Sequence, residues 1–203
     1  MNVPKTAASI VLMVAQGDIL TKVIFDRRHP AAEKLKVERD ALERAQILLV
    51  GNACSEALII KGEPGTAERS GSGLLSGTDG TALKAALLKL GYAPESWLGM
   101  ATWKADGSDL SCEELRWAVT TLDVACIICV DETAANLVRC AYAEELSVIE
   151  DLSEAMIEPG HVTHLLGMRV IDLGGFEAAL GDAHEKQVMW ARLKTVPHEG
   201  SPY

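Results

Sequence analysis

Apolar positions along the chain fall into two patterns: short continuous runs, and longer stretches with apolar residues three and four apart. Runs at residues 47–51, 97–102, 124–130 and 168–173 predict strands apolar throughout, as expected when both faces of a sheet are covered. Between them the spacing predicts helices. Residues 31–46 start behind Pro30 and place Leu35, Leu42 and Ala45 on one face. Residues 81–90 carry Leu83, Leu87, Leu88 and Leu90 and stop at Gly91. Ser111 followed by Glu114 has the capping-box spacing, which opens a helix running to about Leu122. Further helices are expected over 132–145 and 182–194, and a short extended segment over 148–150. Asp106-Gly-Ser-Asp109 reads as a turn, Pro159-Gly160 as a break, and the tail from Pro197 as frayed. At the start, 9–15 and 20–25 flank Gln-Gly-Asp and predict a hairpin, with a helix over the first run as the alternative. Strands alternating with helices predict an α/β fold, a three-layer αβα sandwich. Its central, mainly parallel sheet would have four strands, in one domain with residues 1–30 as an N-terminal extension.

Composition narrows the partners. The 203 residues are 48% hydrophobic and 24% charged, enough for a buried core in a soluble domain. The net charge of −10 disfavours a phosphate backbone unless basic residues cluster locally; Lys61, Arg69, Lys104 and Arg169 are the candidates for a DNA-binding cleft. The apolar stretch 7–15 is too short to span a bilayer and lacks a signal peptide's flanks, so no membrane association is expected. Five cysteines without a disulfide-scaffold spacing fit a reducing cytoplasm.

The most unusual passage runs from Ile47 to Gly91. Ile47-Leu-Leu-Val-Gly51 ends beside Asn52, and Gly62-Glu-Pro-Gly65 and 70–80 (Ser-Gly-Ser-Gly-Leu-Leu-Ser-Gly-Thr-Asp-Gly) follow before the helix. Strand, glycine-rich turn and helix is how open α/β sheets hold a ligand at the strand's carboxyl end. No Gly-Lys-Ser/Thr closes a Walker loop and no GxGxxG follows the strand, and a long flexible surface loop is the plainer alternative.

From Ile47 to Thr195 the order of elements resembles the uracil-DNA glycosylase superfamily, closest to its thermophilic-type branch. The carriers are 47–51, the stretch 68–80 with its helix and Leu90-Gly91-Tyr92, Cys112-Glu-Glu-Leu115 with the unit to Val130, and 182–194 with Lys186, Trp190, Leu193 and Lys194. The resemblance implies a water-positioning residue directly after the glycine that ends the first strand; Asn52 stands there, so an amide remains but the carboxylate is gone. It implies a stacking aromatic where Leu75 stands, a base-reading amide where Ala101 or Thr102 stands, a His-Pro at Gly175-Phe176, and an arginine at Gly181. Flipped-base excision needs such groups to place water, stack the base, read its edge and stabilise the leaving anion. These departures point to a protein that has lost uracil excision and serves as a binding or interaction module, with a protein as partner. A divergent DNA glycosylase using Asn52 and a small-molecule enzyme or binder using the glycine-rich loop are the alternatives.

The same correspondence expects Asn52, Cys54, Leu75, Gly77, Ala101 and Gly175 to converge on one depression, flanked by Gly51, Ala53, Thr102 and Phe176. Asp79, Asp106, Asp109 and Asp172 would form its rim. If the sheet is antiparallel, or if Ile47–Val50 is an edge strand, the resemblance is accidental. Of the iron–sulfur ligands of the thermophilic branch only Cys112 has a counterpart, so no cofactor or metal is expected. Cys126 and Cys129 lie three apart on a strand, on opposite faces, and cannot converge on one ion. His161 and His164 read as a loop-to-strand approach rather than ligands, and Cys54 has no assignable base. His29-Pro30 before a helix has the local pattern of the second motif at the other end of the chain; a rearranged motif and a plain helix start both account for it.

Overall fold

The structure is a computed structural model, and it describes residues 36–196. Contacts divide the chain into Met1–Val37 and Glu38–Tyr203, and nearly all described residues belong to the second unit. The hairpin and His29-Pro30 readings lie outside the described residues, as does the frayed tail.

A mixed α/β arrangement surrounds a six-stranded, mostly parallel sheet. The strands are β1 (Ile47–Gly51), β2 (Ala57–Lys61), β3 (Trp97–Lys104), β4 (Cys126–Cys129), β5 (Val162–Leu165) and β6 (Met168–Asp172), in the order β1-β3-β2-β4-β6-β5. The inner four are mutually parallel, whereas β1 and β5 run antiparallel on the two edges. The helices are α1 (36–44), α2 (Thr66–Arg69), α3 (Thr78–Lys89), α4 (Cys112–Leu122), α5 (Glu132–Ala141), α6 (Ala143–Leu146), α7 (Leu152–Ala155), α8 (Phe176–Ala179) and α9 (Ala183–Leu193).

Period-two alternation sends strand side chains into two apolar clusters. Leu58, Ile60, Ile127, Cys129 and Val170 pack with α4 and α5. Ile59, Cys126, Ile128 and Ile171 pack with α3, α8 and α9. Cys126 and Cys129 thus enter opposite clusters, as their spacing predicts. Burial pushes the Cys126 thiol up to about 12 and raises Cys129 well above its ordinary value, so both act as small hydrophobes.

Local signals behave as read where they are self-contained. Ser111 Oγ accepts from Glu114 N at 3.2 Å and Glu114 Oε2 accepts from Ser111 N at 2.9 Å, so the capping box opens α4. The helix expected at 81–90 starts earlier, on Gly77, and the one expected at 132–145 is two helices broken at Tyr142. Residues 148–150 form no strand, and the histidine segment forms β5.

Three expectations are corrected: the sheet has six strands where four were expected, the run 47–51 is not central, and two of the five cysteines are paired. The run 47–51 is an edge strand paired antiparallel to β3, with Gly51 beside Leu98. The correspondence drawn through Ile47–Val50 as a central strand therefore fails. The central place belongs to β2, buried along its whole length between β3 and β4. Cys112 and Cys140 are also joined in a disulfide that ties the start of α4 to the end of α5. They stand 28 apart in sequence, and helix packing alone brings them together.

Candidate functional site

Parallel strands put their carboxyl ends on one side of the sheet, where open α/β folds bind ligands. Here that side gathers Lys61 at the end of β2 with Gly62-Glu63 beyond it, Ala101-Thr102 in β3, Val130-Asp131 after β4 and Gly174-Gly175 after β6. A cavity of about 110 Å³ opens there, with Leu75, Val130 and Phe176 as apolar walls and Lys61, Glu63 and Asp79 among its polar lining.

Asp131 organises the floor. It caps α5 through Ala134 N at 2.9 Å and also accepts from Gly62 N at 2.9 Å and Glu63 N at 3.1 Å. A Cβ on Gly62 would lie 2.2 Å from Asp131 Oδ1, so only glycine lets the end of β2 meet the start of α5 this closely. Thr102 Oγ1 donates to Gly62 O at 2.9 Å, clamping the same peptide from β3. The result presents Glu63 as an exposed carboxylate at the cavity, 3.3 Å from Thr133 Oγ1.

Beneath it, Lys61 is buried and donates to Asp79 Oδ2 at 2.5 Å and Glu68 Oε1 at 2.9 Å. Burial pulls the ammonium's pKa down, but the two carboxylates outweigh it and hold the pKa above its ordinary value. Glu68 further accepts from Leu75 N at 3.0 Å and Gly65 N at 2.9 Å. This ion triad therefore shapes the glycine-rich loop and holds Leu75 in a left-handed conformation (φ 56°) at the cavity.

The predicted residues divide between the two ends of the sheet. Leu75, Gly175 and Phe176 line the cavity, and Gly77 lines an adjoining groove with Thr78 and Glu177. Ala101 is fully buried in β3, below the cavity. Asn52 and Cys54 do not join them, because β1 is antiparallel and its carboxyl end meets the amino end of β3. Asn52 donates through Nδ2 to Glu95 O at 2.7 Å and accepts from Cys54 N at 3.1 Å, so its amide is a turn fastener. Gly51 there has φ 101° and its Cβ would meet Trp97 O at 2.7 Å, while Ala53 packs into the core. Cys54 opens into a separate cavity with Cys126 and Arg169.

The acidic rim is also corrected. Asp79 lines the cavity but is paired with Lys61, Asp106 binds Ser108 within its turn, and the backbone of exposed Asp109 pairs with Trp103 in an isolated bridge. Asp172 has no accessible surface; its Oδ1 accepts from Gly174 N at 2.8 Å and its Oδ2 has no hydrogen-bond partner. Burial, with the nearby Glu132 charge adding to it, pushes this carboxyl up to about 6. Glu63, Asp131 and Glu177 join Asp79 as the negative groups at the cavity. Of the four cations proposed for a DNA cleft, Lys61 is locked between carboxylates and Lys104 pairs with Glu114 at 2.6 Å. Arg169 lies at the opposite end of the sheet, which leaves Arg69, exposed on α2.

Glu63 and Asp131 were legible in principle. Apolar Ala57–Ile60 followed by Gly62-Glu63 has the same strand–glycine–polar pattern as Ile47–Asn52, and Asp131 follows a buried run at the start of a helix. Among the described residues, no group of three or more His, Cys, Asp or Glu is placed to hold a metal ion, and no helix is long and apolar enough to cross a membrane. No protein-family model matches the chain, and no curated protein matches it.

Proposed function

We propose that the chain is a binding module on a three-layer αβα domain, and that it does not excise uracil from DNA. The observation that carries this is electrostatic. Glu63, Asp79, Asp131 and Glu177 line the cavity, and its lysine is consumed by the buried pair with Asp79 and Glu68. A phosphate backbone approaching that mouth meets net negative charge where binding needs lysines and arginines. Ala101 offers no side-chain amide to read a base, Thr102 is engaged with Gly62 O, and Gly175 offers no side-chain donor to a leaving anion. Missing one such donor costs on the order of a hundredfold or more in rate, and here several are missing together.

The position of Glu63 favours a second reading. With β2 as the first central strand, the residue directly after its closing glycine is a carboxylate, the group suited to positioning water. On that reading the protein is a divergent DNA glycosylase acting on a single-stranded substrate through Glu63. Incubation with single- and double-stranded uracil-containing DNA, beside titration of labelled single-stranded DNA at low and moderate salt, separates the two. The binding-module reading expects no abasic product and no affinity that falls steeply with salt. Cleavage that Glu63→Gln abolishes overturns it in favour of the glycosylase.

A further inference from the structure

Away from the cavity, the segment from α6 through α7 carries a second feature. Between Ala143 and Glu158 the chain holds Glu144, Glu145, Glu150, Asp151, Glu154 and Glu158 and no lysine or arginine. Leu146 and Ile157 point into the core and Ile149 packs against it. Val148, Leu152 and Met156 instead stay in solvent, 78%, 72% and 49% exposed. The other large exposed apolar side chains among the described residues, Val37, Leu88, Trp117 and Leu166, sit singly on separate elements. Isolated exposed hydrophobes are ordinary, but three within one short acidic segment are not.

The segment is held in shape. Asp151 Oδ1 caps α7 by accepting from Ser153 N at 2.8 Å and Glu154 N at 3.2 Å. Met156 N donates to Leu152 O at 2.9 Å, so the two side chains stand one helical turn apart on the same face. Arg139 Nη1 donates to Met156 O at 2.8 Å and Thr163 Oγ1 to Glu154 O at 2.7 Å, pinning the far end to α5 and β5. A pre-formed apolar ridge loses little conformational freedom when it is covered.

We propose that Val148, Leu152 and Met156 form the centre of a protein-docking surface whose partner is a basic amphipathic segment. Its apolar side covers the ridge and its lysines or arginines meet Glu144, Glu150, Glu154 and Glu158; Glu145 is held by Arg116 and Asp151 by its cap. Charge complementarity selects this occupant: a second copy brings the same acidic segment and a net charge of −10, and an anionic lipid surface is repelled alike. The surface goes beyond the binding-module reading and fails separately from it, because uracil excision reports on the cavity and not on this ridge.

The test uses the full chain and a fluorescein-labelled helical peptide of leucine and lysine, with a leucine–glutamate peptide of the same length as control. Fluorescence anisotropy at moderate salt is the readout. The lysine peptide is expected to bind and the glutamate peptide not. Leu152→Ser with Met156→Ser, and separately Glu150→Lys with Glu158→Lys, should each weaken binding at least tenfold while leaving the unfolding curve in place. Leu88→Ser, an exposed leucine on α3, should change affinity less than twofold. Equal loss from Leu88→Ser, or no loss from either ridge variant, marks non-specific attraction to an acidic protein and overturns the proposal. Sedimentation showing self-association that the ridge variants abolish overturns it in favour of a second copy, and ridge-dependent binding to anionic vesicles overturns it in favour of a membrane.

Discussion

Replacing Asp172 with asparagine should remove a loss of stability that the wild type undergoes as pH rises through about 6. Asp172 ends β6 with no accessible surface, one hydrogen bond from Gly174 N and an Oδ2 without a partner. A carboxyl moved by burial from 3.8 to about 6 is harder to ionise in the folded chain than in the unfolded one. The folded state therefore holds this proton more tightly. The favourable contribution is complete below about pH 4 and is lost as pH rises through about 6. A rise of about 2 on the pH scale corresponds to about 3 kcal/mol at most. Asp172→Asn keeps an oxygen for Gly174 N and carries no charge at any pH. The amide nitrogen must replace an oxygen with no partner, which costs about 1–3 kcal/mol if it too stays unpaired. That cost does not vary with pH, so the firm expectation is the shape of the difference. Urea unfolding of both proteins, from pH 4.5 to 8, should show the variant gaining on the wild type by about 2 kcal/mol, with most of the gain between pH 5 and 7. A difference that stays flat, or that favours the wild type more as pH rises, would refute a strained buried carboxylate at this position.

Three other outcomes follow from the packing. Lys61→Met should destabilise the domain by about 3–5 kcal/mol in denaturant titration, because it strands Glu68 and Asp79, whose side chains are 4% and 8% exposed. Thiol titration of the air-oxidised protein in denaturant should count Cys54, Cys126 and Cys129 and should rise to all five cysteines on reduction; Cys112→Ser should cost about 3–4 kcal/mol by releasing the loop that the disulfide closes. Ser111→Ala should cost about 1 kcal/mol by uncapping α4, seen as a lower midpoint with an unchanged denaturant slope.

What the sequence by itself determined is local. Ser111 and Glu114 need only each other to start α4, so their spacing sufficed. The opposite facing of Cys126 and Cys129 follows from the pleat of a single strand, whatever lies beside it. The tertiary structure decided which apolar run became central. Residues 47–50 and 57–60 are both short and apolar, and no local term separates them. The difference comes from partners far along the chain: β2 is flanked by β3 and β4, whereas β1 pairs only with β3 and runs against it. Strand direction then sets the site. Because β1 is reversed, Gly51 and Asn52 land at the amino ends of the parallel strands, and because β2 is not, Gly62 and Glu63 land at the carboxyl ends beside Asp131. The same holds for Cys112 and Cys140, whose pairing depends on how α4 and α5 pack on one face of the sheet. Local spacing encodes backbone conformation and the facing of side chains. Strand neighbours and directions are settled by burying two apolar clusters at once, a condition that every element satisfies jointly and none expresses alone.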